Sequence, residues 1–222
     1  MTSIAIIPVK RFGRALRRLA GILNRDERAA LQEAMLTDLL TACRACPELD
    51  AVVVVTNDPH ARSVADRFGA DAVTDHDPPR GMNAAVHIGQ RRALEQGFTV
   101  GLVLTADLPL VVPDDLRELL VAASPGHIVM SPAHDRVGTN ALVMNPPDAI
   151  RTRLGPDSWA EHRRAADDAG LVVVERRLQR VGIDIDTPAE LAALIEWPAE
   201  TVAARVCREL GIDQRLASVA GG

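Results

Sequence analysis

At 222 residues, 47% of them hydrophobic, the chain fits one compact domain with a sizeable core. A formal charge of -5 withholds the basic footprint of a nucleic-acid binder, and 2% aromatics with no Tyr give little from which to build base-stacking platforms. No apolar run approaches the ~18 residues of a membrane helix, no basic leader precedes Ile4-Ala5-Ile6-Ile7, and three cysteines fit a reducing cytoplasm.

Strand and helix signals then alternate. Ile4 to Val9 is a short apolar run, read as a buried strand. Asn24 can cap a helix, with Glu27 three residues on and Leu31, Met35, Leu36, Leu39 and Leu40 at helical spacing. Cys43 and Cys46 form a C-x-x-C late in that pattern, away from a strand-to-helix junction and with no second pair to complete a zinc site, so they read as helix packing. Ala51 to Val55 is a fully buried parallel strand by composition. His60 to Phe68 reads as a helix, Ala70 to Val73 as a strand, Met82 to Gln96 as a helix and Val100 to Leu104 as a strand. Pro113 to Ala122 is helical, with Pro and two acids in the first turn. The second half predicts strands at His127 to Met130, Ala141 to Met144, Leu171 to Glu175 and Val181 to Ile185. Helices are predicted at Ser158 to Ala169, Pro188 to Ile195 and Ala199 to Leu210, with fraying from Ala217. The reading is one domain over 1–197 followed by a helical tail, 198–222.

This alternation implies an α/β sandwich around a mostly parallel central sheet. Ligands in such sheets sit beyond the carboxyl ends of the strands, which directs attention to the segments after Val9, after Val55, after Leu104 and around Ile183. After Val9 come Lys10, Arg11, Arg14, Arg17 and Arg18, five cations in nine residues. They suit a triphosphate or make an ordinary solvated loop; the pattern is neither a P-loop nor a Rossmann fingerprint. After Leu104 stands Asp107, placed for a hard cation such as magnesium or for a turn before Pro109. Asp184 and Asp186 are two apart, so an extended strand would point both carboxylates to one face, where a cation would relieve their repulsion. Thr187, Pro188 and Glu190 read as a capped helix start. Asn83, in Gly81-Met82-Asn83, suits a base, a ribose or a helix cap. Gly138-Thr139-Asn140 and Gly155-Pro156-Asp157-Ser158 are turn chemistry or anion-holding N–H groups.

In order, Pro8-Val9-Lys10, Ala34-Met35-Leu36, Val55-Thr56-Asn57-Asp58-Pro59, Gly81-Met82-Asn83-Ala84-Ala85, Ala106-Asp107-Leu108-Pro109, Gly138-Thr139-Asn140-Ala141-Leu142 and Asp184-Ile185-Asp186-Thr187-Pro188 resemble the signature series of the 2-phospho-L-lactate / phosphoenolpyruvate guanylyltransferases of coenzyme F(420) biosynthesis. The likeness covers about residues 4 to 195. It implies a single-domain GT-A-like (Rossmann-like) nucleotidyltransferase fold and transfer of GMP from GTP to a small phosphorylated three-carbon acid, phosphoenolpyruvate first among the candidates. It implies Mg2+ on Asp107, Asp184 and Asp186, and the acid on Thr139, Gly155 and Ser158. The nucleotide falls to Pro8, Val9, Lys10, Arg17, Arg18 and Asn83, with Lys10 and Arg18 as the catalytic cations. No nucleic acid or membrane partner is expected, the cytoplasm is the expected compartment, and a homodimer is left open. Two positions depart from the pattern. Where the family has A-K-S-R-L, this chain has Ala15-Leu16-Arg17-Arg18-Leu19, with Leu16 in place of the Lys and Arg17 in place of the Ser.

Overall fold

In the computed structural model, which describes residues 1–220, strand β1 (Ser3–Pro8) is buried along its whole length. Ile4 and Ile6 join one apolar cluster, Ala5 and Ile7 another, as the two-residue period of a strand dictates. A strand apolar on both faces needs cover on both. Helices α1 (Arg25–Ala45), α2 (Pro59–Arg67) and α4 (Pro113–Val121) supply it on one side, α3 (Met82–Glu95) and α5 (Ser158–Asp168) on the other. The remaining strands are β2 (Ala51–Val55), β3 (Asp71–Val73), β4 (Val100–Leu104), β5 (His127–Pro132), β6 (Thr139–Met144) and β7 (Val172–Glu175).

The seven strands lie in the order β3-β2-β1-β4-β6-β5-β7. β1 is parallel to β2 and β4, β2 to β3, and β5 to β7. β6 runs antiparallel to both its neighbours, β4 and β5. The sheet is thus mostly parallel, as predicted. The reversed strand brings its first residues, Thr139 and Asn140, to the edge where β1 and β4 end.

Local sequence signals explain most boundaries. The Asn24 side-chain oxygen accepts from the Asp26 and Glu27 N–H groups, and Glu27 accepts from the Asn24 N–H, the predicted capping box. Cys43 and Cys46 are both buried in a core cluster, and burial pushes the Cys43 thiol up to about 12; they pack, as expected.

Two expectations fail. Val181 to Ile185 is not a strand: Gln179–Gly182 forms one helical turn, α6, and residues 183–186 continue outside any ladder. The adjacent β6 already has both edges paired, and the Asn140 amide donates to the Val181 and Gly182 carbonyls at 2.9 and 3.4 Å. The Ile185 N–H donates to the Asp107 carbonyl at 3.0 Å. Helix α7 (Pro188–Glu196) follows, opened by the predicted Thr187–Glu190 box.

Nor does the end fray from Ala217. After α8 (Val202–Glu209), helix α9 (Ile212–Ala220) carries the backbone to Ala220; Gly221 and Gly222 lie outside the described residues. Both helices help to build a third apolar cluster in which Ala203, Cys207 and Ile212 meet Leu31 and Met35 of α1. The Asp38 carboxylate of α1 accepts from the Val202 and Ala203 N–H groups at 2.8 Å each, satisfying donors that a helix start leaves orphaned. Among the described residues no helix is long and apolar enough to cross a membrane.

Candidate active site

The basic segment leaves β1 and folds back onto α1. The Phe12 N–H donates to the Asp58 carboxylate at 2.9 Å and the Gly13 N–H to the Gln32 side-chain oxygen at 2.7 Å. Gly13 has φ +74, and a Cβ there would lie 2.8 Å from the Arg25 carbonyl oxygen, so this close return needs glycine. Leu16 adopts a left-handed φ of 55, sparsely occupied by residues with a Cβ. Its side chain is buried in the third cluster with Leu19 and Leu23. The departure at this position therefore serves packing. The 3-10 turn Arg17–Leu19 follows, burying Leu19 and leaving Arg17 and Arg18 exposed.

Two chambers meet at the carboxyl end of β1. The larger, about 430 Å3, is bordered by Lys10, Asn57, Asp75, Asp77 and Gly81. The smaller, about 100 Å3, is bordered by Lys10, Leu16, Thr105 and Asp107. Pro8, Val9, Lys10 and Met82 line both. Lys10 and Asp107, predicted from separate strand ends, thus share one wall because β1 and β4 are parallel neighbours.

The three acids are linked electrostatically. Burial first, then the Asp184 carboxylate, pushes Asp107 up to about 6, with Asp186 adding to the effect. Asp107 Oδ1 is buried without a hydrogen-bond partner. Asp184 is raised, chiefly by burial, against a 3.0 Å hydrogen bond from the Asn140 amide. Asp186 is raised by burial and by Asp184, opposed by Arg18, whose guanidinium lies 3.1 Å away. Among the described residues these side chains do not converge as a ready-made metal cage. An orphaned carboxylate oxygen amid mutually repelling acids suits magnesium held by one or two carboxylates and completed by phosphate oxygens.

Thr139, Gly155 and Ser158 also come together. The Thr139 N–H donates to Ser158 Oγ at 2.9 Å, and the Ser158 N–H to the Gly155 carbonyl at 3.2 Å. Gly155 has φ +135, which favours glycine. They meet at the start of α5, where Asp157 provides no side-chain cap and the Ser158 and Trp159 N–H groups donate instead to the Gly155 and Val137 carbonyls. Beneath them lies His162, which sequence reasoning missed. Its Nε2 accepts from the Arg153 N–H at 2.8 Å, so its Nδ1 carries the proton and donates to Thr139 Oγ1 at 3.1 Å. Asn140, which the sequence offers as turn chemistry or an anion-holding N–H, instead donates its side-chain amide to Asp184 and so stands between the acids and Thr139. Asn83 stands apart from the 430 Å3 chamber. Its amide donates to the Leu154 carbonyl at 3.0 Å and accepts from the Leu154 N–H at 2.7 Å, clasping the 151–157 loop to α3.

A family model described as guanylyl transferase CofC like matches residues 3–220, through the C-terminal helices. The chain belongs to this family. Within the CofC-like proteins it is similar to the phosphoenolpyruvate guanylyltransferase of Conexibacter woesei, 43% identical over 199 residues and 88% of each chain. It is similar also to that of Sphaerobacter thermophilus, 39% identical over 194 residues, 87% of this chain and 93% of the other. Among solved structures it resembles a Desulfovibrio desulfuricans G20 protein placed provisionally with the nucleotide-diphospho-sugar transferases, with a TM-score of 0.77, 16% identity and 98% of each chain covered. A CMP:2-keto-3-deoxy-manno-octonic acid synthetase complexed with CTP superposes with a TM-score of 0.60 at 14% identity, covering 94% of this chain and all of the other. At such identities the likeness is one of fold, and that fold is the GT-A-like nucleotidyltransferase sandwich the sequence implied.

Proposed function

We propose that this CofC-like chain transfers GMP from GTP to phosphoenolpyruvate and releases pyrophosphate, a step of coenzyme F(420) biosynthesis. One observation carries the reading beyond the family: Lys10 and Asp107 border a single chamber at the strand ends, and hydrogen bonds gather Thr139, Gly155 and Ser158 at the start of α5. A phosphate oxygen of the acid attacks the α-phosphorus of GTP, a P–O bond forms, and the bond to the β-phosphate oxygen breaks with its electron pair leaving on pyrophosphate. Such chemistry asks the protein for positioning and charge neutralisation. Lys10, Arg17 and Arg18 offset the triphosphate charge; Pro8 and Val9 bring backbone close to the nucleotide. Thr139, Gly155 and Ser158 orient the acid. Asp107, Asp184 and Asp186 would hold Mg2+, which when bound neutralises phosphate oxygens and eases the departure of the leaving group. Three unbridged cysteines support a cytoplasmic setting.

Pyrophosphate release, measured with GTP, ATP, CTP and UTP and with phosphoenolpyruvate, 2-phospho-L-lactate and 3-phosphoglycerate in parallel, tests the assignment. GTP with phosphoenolpyruvate should be the fastest pair. Equal release from ATP would remove the guanylyl assignment, and a faster 2-phospho-L-lactate reaction would change the acceptor.

A further inference from the structure

The larger chamber has a chemical polarity that the reaction itself does not need. Asp75 and Asp77 stand on its border, in the loop that follows β3. Asp75 is half-buried, and one of its oxygens already accepts from the His76 N–H at 2.6 Å, which holds the carboxylate in place. Asn57, at the end of β2, donates its amide to the His76 carbonyl at 2.8 Å and so ties the same loop to the sheet. The Asn57 side-chain oxygen is buried without a partner. On another border of the chamber, α3 begins at Gly81 with no side-chain cap, so its first-turn N–H groups remain as donors. The chamber thus sets fixed acceptors beside backbone donors.

Guanine fits that arrangement. Along its pairing edge guanine presents an amino donor, the N1–H donor and the O6 acceptor, whereas adenine presents an acceptor at N1 and therefore meets a carboxylate with like polarity. A base in the larger chamber also leaves the triphosphate running past Lys10, which lines both chambers, toward Asp107 in the smaller. We propose that Asp75 selects guanine, its carboxylate accepting from the N1–H and the 2-amino group, with Asn57 as the residue that positions the Asp75 loop. This rests on the guanylyl reading of the same site and names what enforces it. A pocket built to hydrogen-bond a polar group rejects an analogue lacking it far more strongly than an apolar pocket rejects an extra methyl.

Nucleotide analogues test the assignment. Pyrophosphate release with phosphoenolpyruvate is measured for GTP, ITP, XTP and ATP in the wild type, Asp75→Asn and Asp77→Asn. Inosine lacks the 2-amino group and xanthine replaces it by a carbonyl. The wild type should therefore favour GTP over both, and Asp75→Asn should lower kcat/KM for GTP by about 10- to 100-fold, the worth of a charge-assisted hydrogen bond. In the same variant the GTP-to-ITP ratio should collapse toward one and XTP should improve in absolute rate, because an amide can accept from N1–H while donating to the xanthine carbonyl. Asp77→Asn, altered on the exposed part of the border, should leave the GTP-to-XTP ratio close to that of the wild type. Unchanged GTP, ITP and XTP ratios in Asp75→Asn, or the whole change appearing in Asp77→Asn, would overturn the assignment while a wild-type preference for GTP over ATP left the guanylyl reading standing. Equal wild-type rates with GTP and ATP would overturn that reading and this inference with it.

Discussion

Asp107 is costly to the fold, and on the proposed reading that cost serves the reaction. Its Oδ1 is buried without a partner, and burial with the Asp184 charge pushes it up to about 6, a perturbation that makes it a candidate for function. Asp107→Asn should therefore abolish turnover while melting at the same temperature as the wild type or slightly above it in EDTA. Magnesium with GTP should raise the melting temperature of the wild type and not of the variant. Initial rates beside melting curves check both, and full activity in Asp107→Asn would make the carboxylate structural. Arg18 is the complementary case. Its contact with Asp186 is largely solvent-exposed, and such pairs contribute only about 0–1 kcal/mol to stability. Arg18→Ala should leave melting nearly unchanged yet slow turnover by about 10- to 100-fold, the loss of a charge-assisted phosphate contact. Unaltered kinetics would return this segment to an ordinary solvated loop.

At the scale of elements, His162 joins α5 to β6 and to the loop that precedes α5. Burial, then the Arg153 charge, brings it down from 6.5 to about 4. Between those values the unfolded chain takes up a proton that the folded chain refuses. Its contribution is therefore fully present above pH 6.5 and lost progressively as pH falls toward 4, by about 3 kcal/mol across the window. Thermal melting from pH 7.5 to 4.5 should show this decline, and His162→Gln, which has no proton to gain, should show a shallower one. Equal slopes would mean that carboxylates elsewhere govern acid sensitivity. None of this was legible in the sequence, where His162 is one more polar residue on a helical pattern. What was legible depended on local signals. Asn24 with Glu27 and Thr187 with Glu190 announced their helices because a capping box is completed within four residues. The strand read at Val181 to Ile185 failed because alternating Val181, Ile183 and Ile185 satisfy a two-residue period, while Asn140, 41 residues away from Val181, draws those carbonyls out of any ladder. The acids still reached the sheet edge, through the Ile185 N–H on the Asp107 carbonyl. Asp75 escaped notice for a similar reason: only the folded loop brings it to the border of the chamber that Lys10 also lines.

For the molecule as a whole, the C-terminal segment is part of the core. Ala203, Cys207 and Ile212 are buried against α1, α7 and the loop carrying Leu16 and Leu19. A chain ending at Trp197 would uncover that cluster and leave Asp38 without its two N–H donors. It should melt well below the full chain and lose activity with it, because Leu16 and Leu19 flank Arg17 and Arg18. A truncated chain that melted like the full one would show that the tail is an appendage.

β6 has a further consequence. Thr139 and Asn140 are adjacent on the reversed strand and face opposite ways, one toward His162 and Ser158 and the other toward Asp184. The contacts assigned to the acid rest on residues 139–162, whereas the two chambers are bordered by segments no later in the chain than Asp107. Lineages sharing this architecture are therefore free to exchange one small phosphorylated acid for another by editing a short stretch around α5. The machinery that holds the triphosphate can be inherited intact.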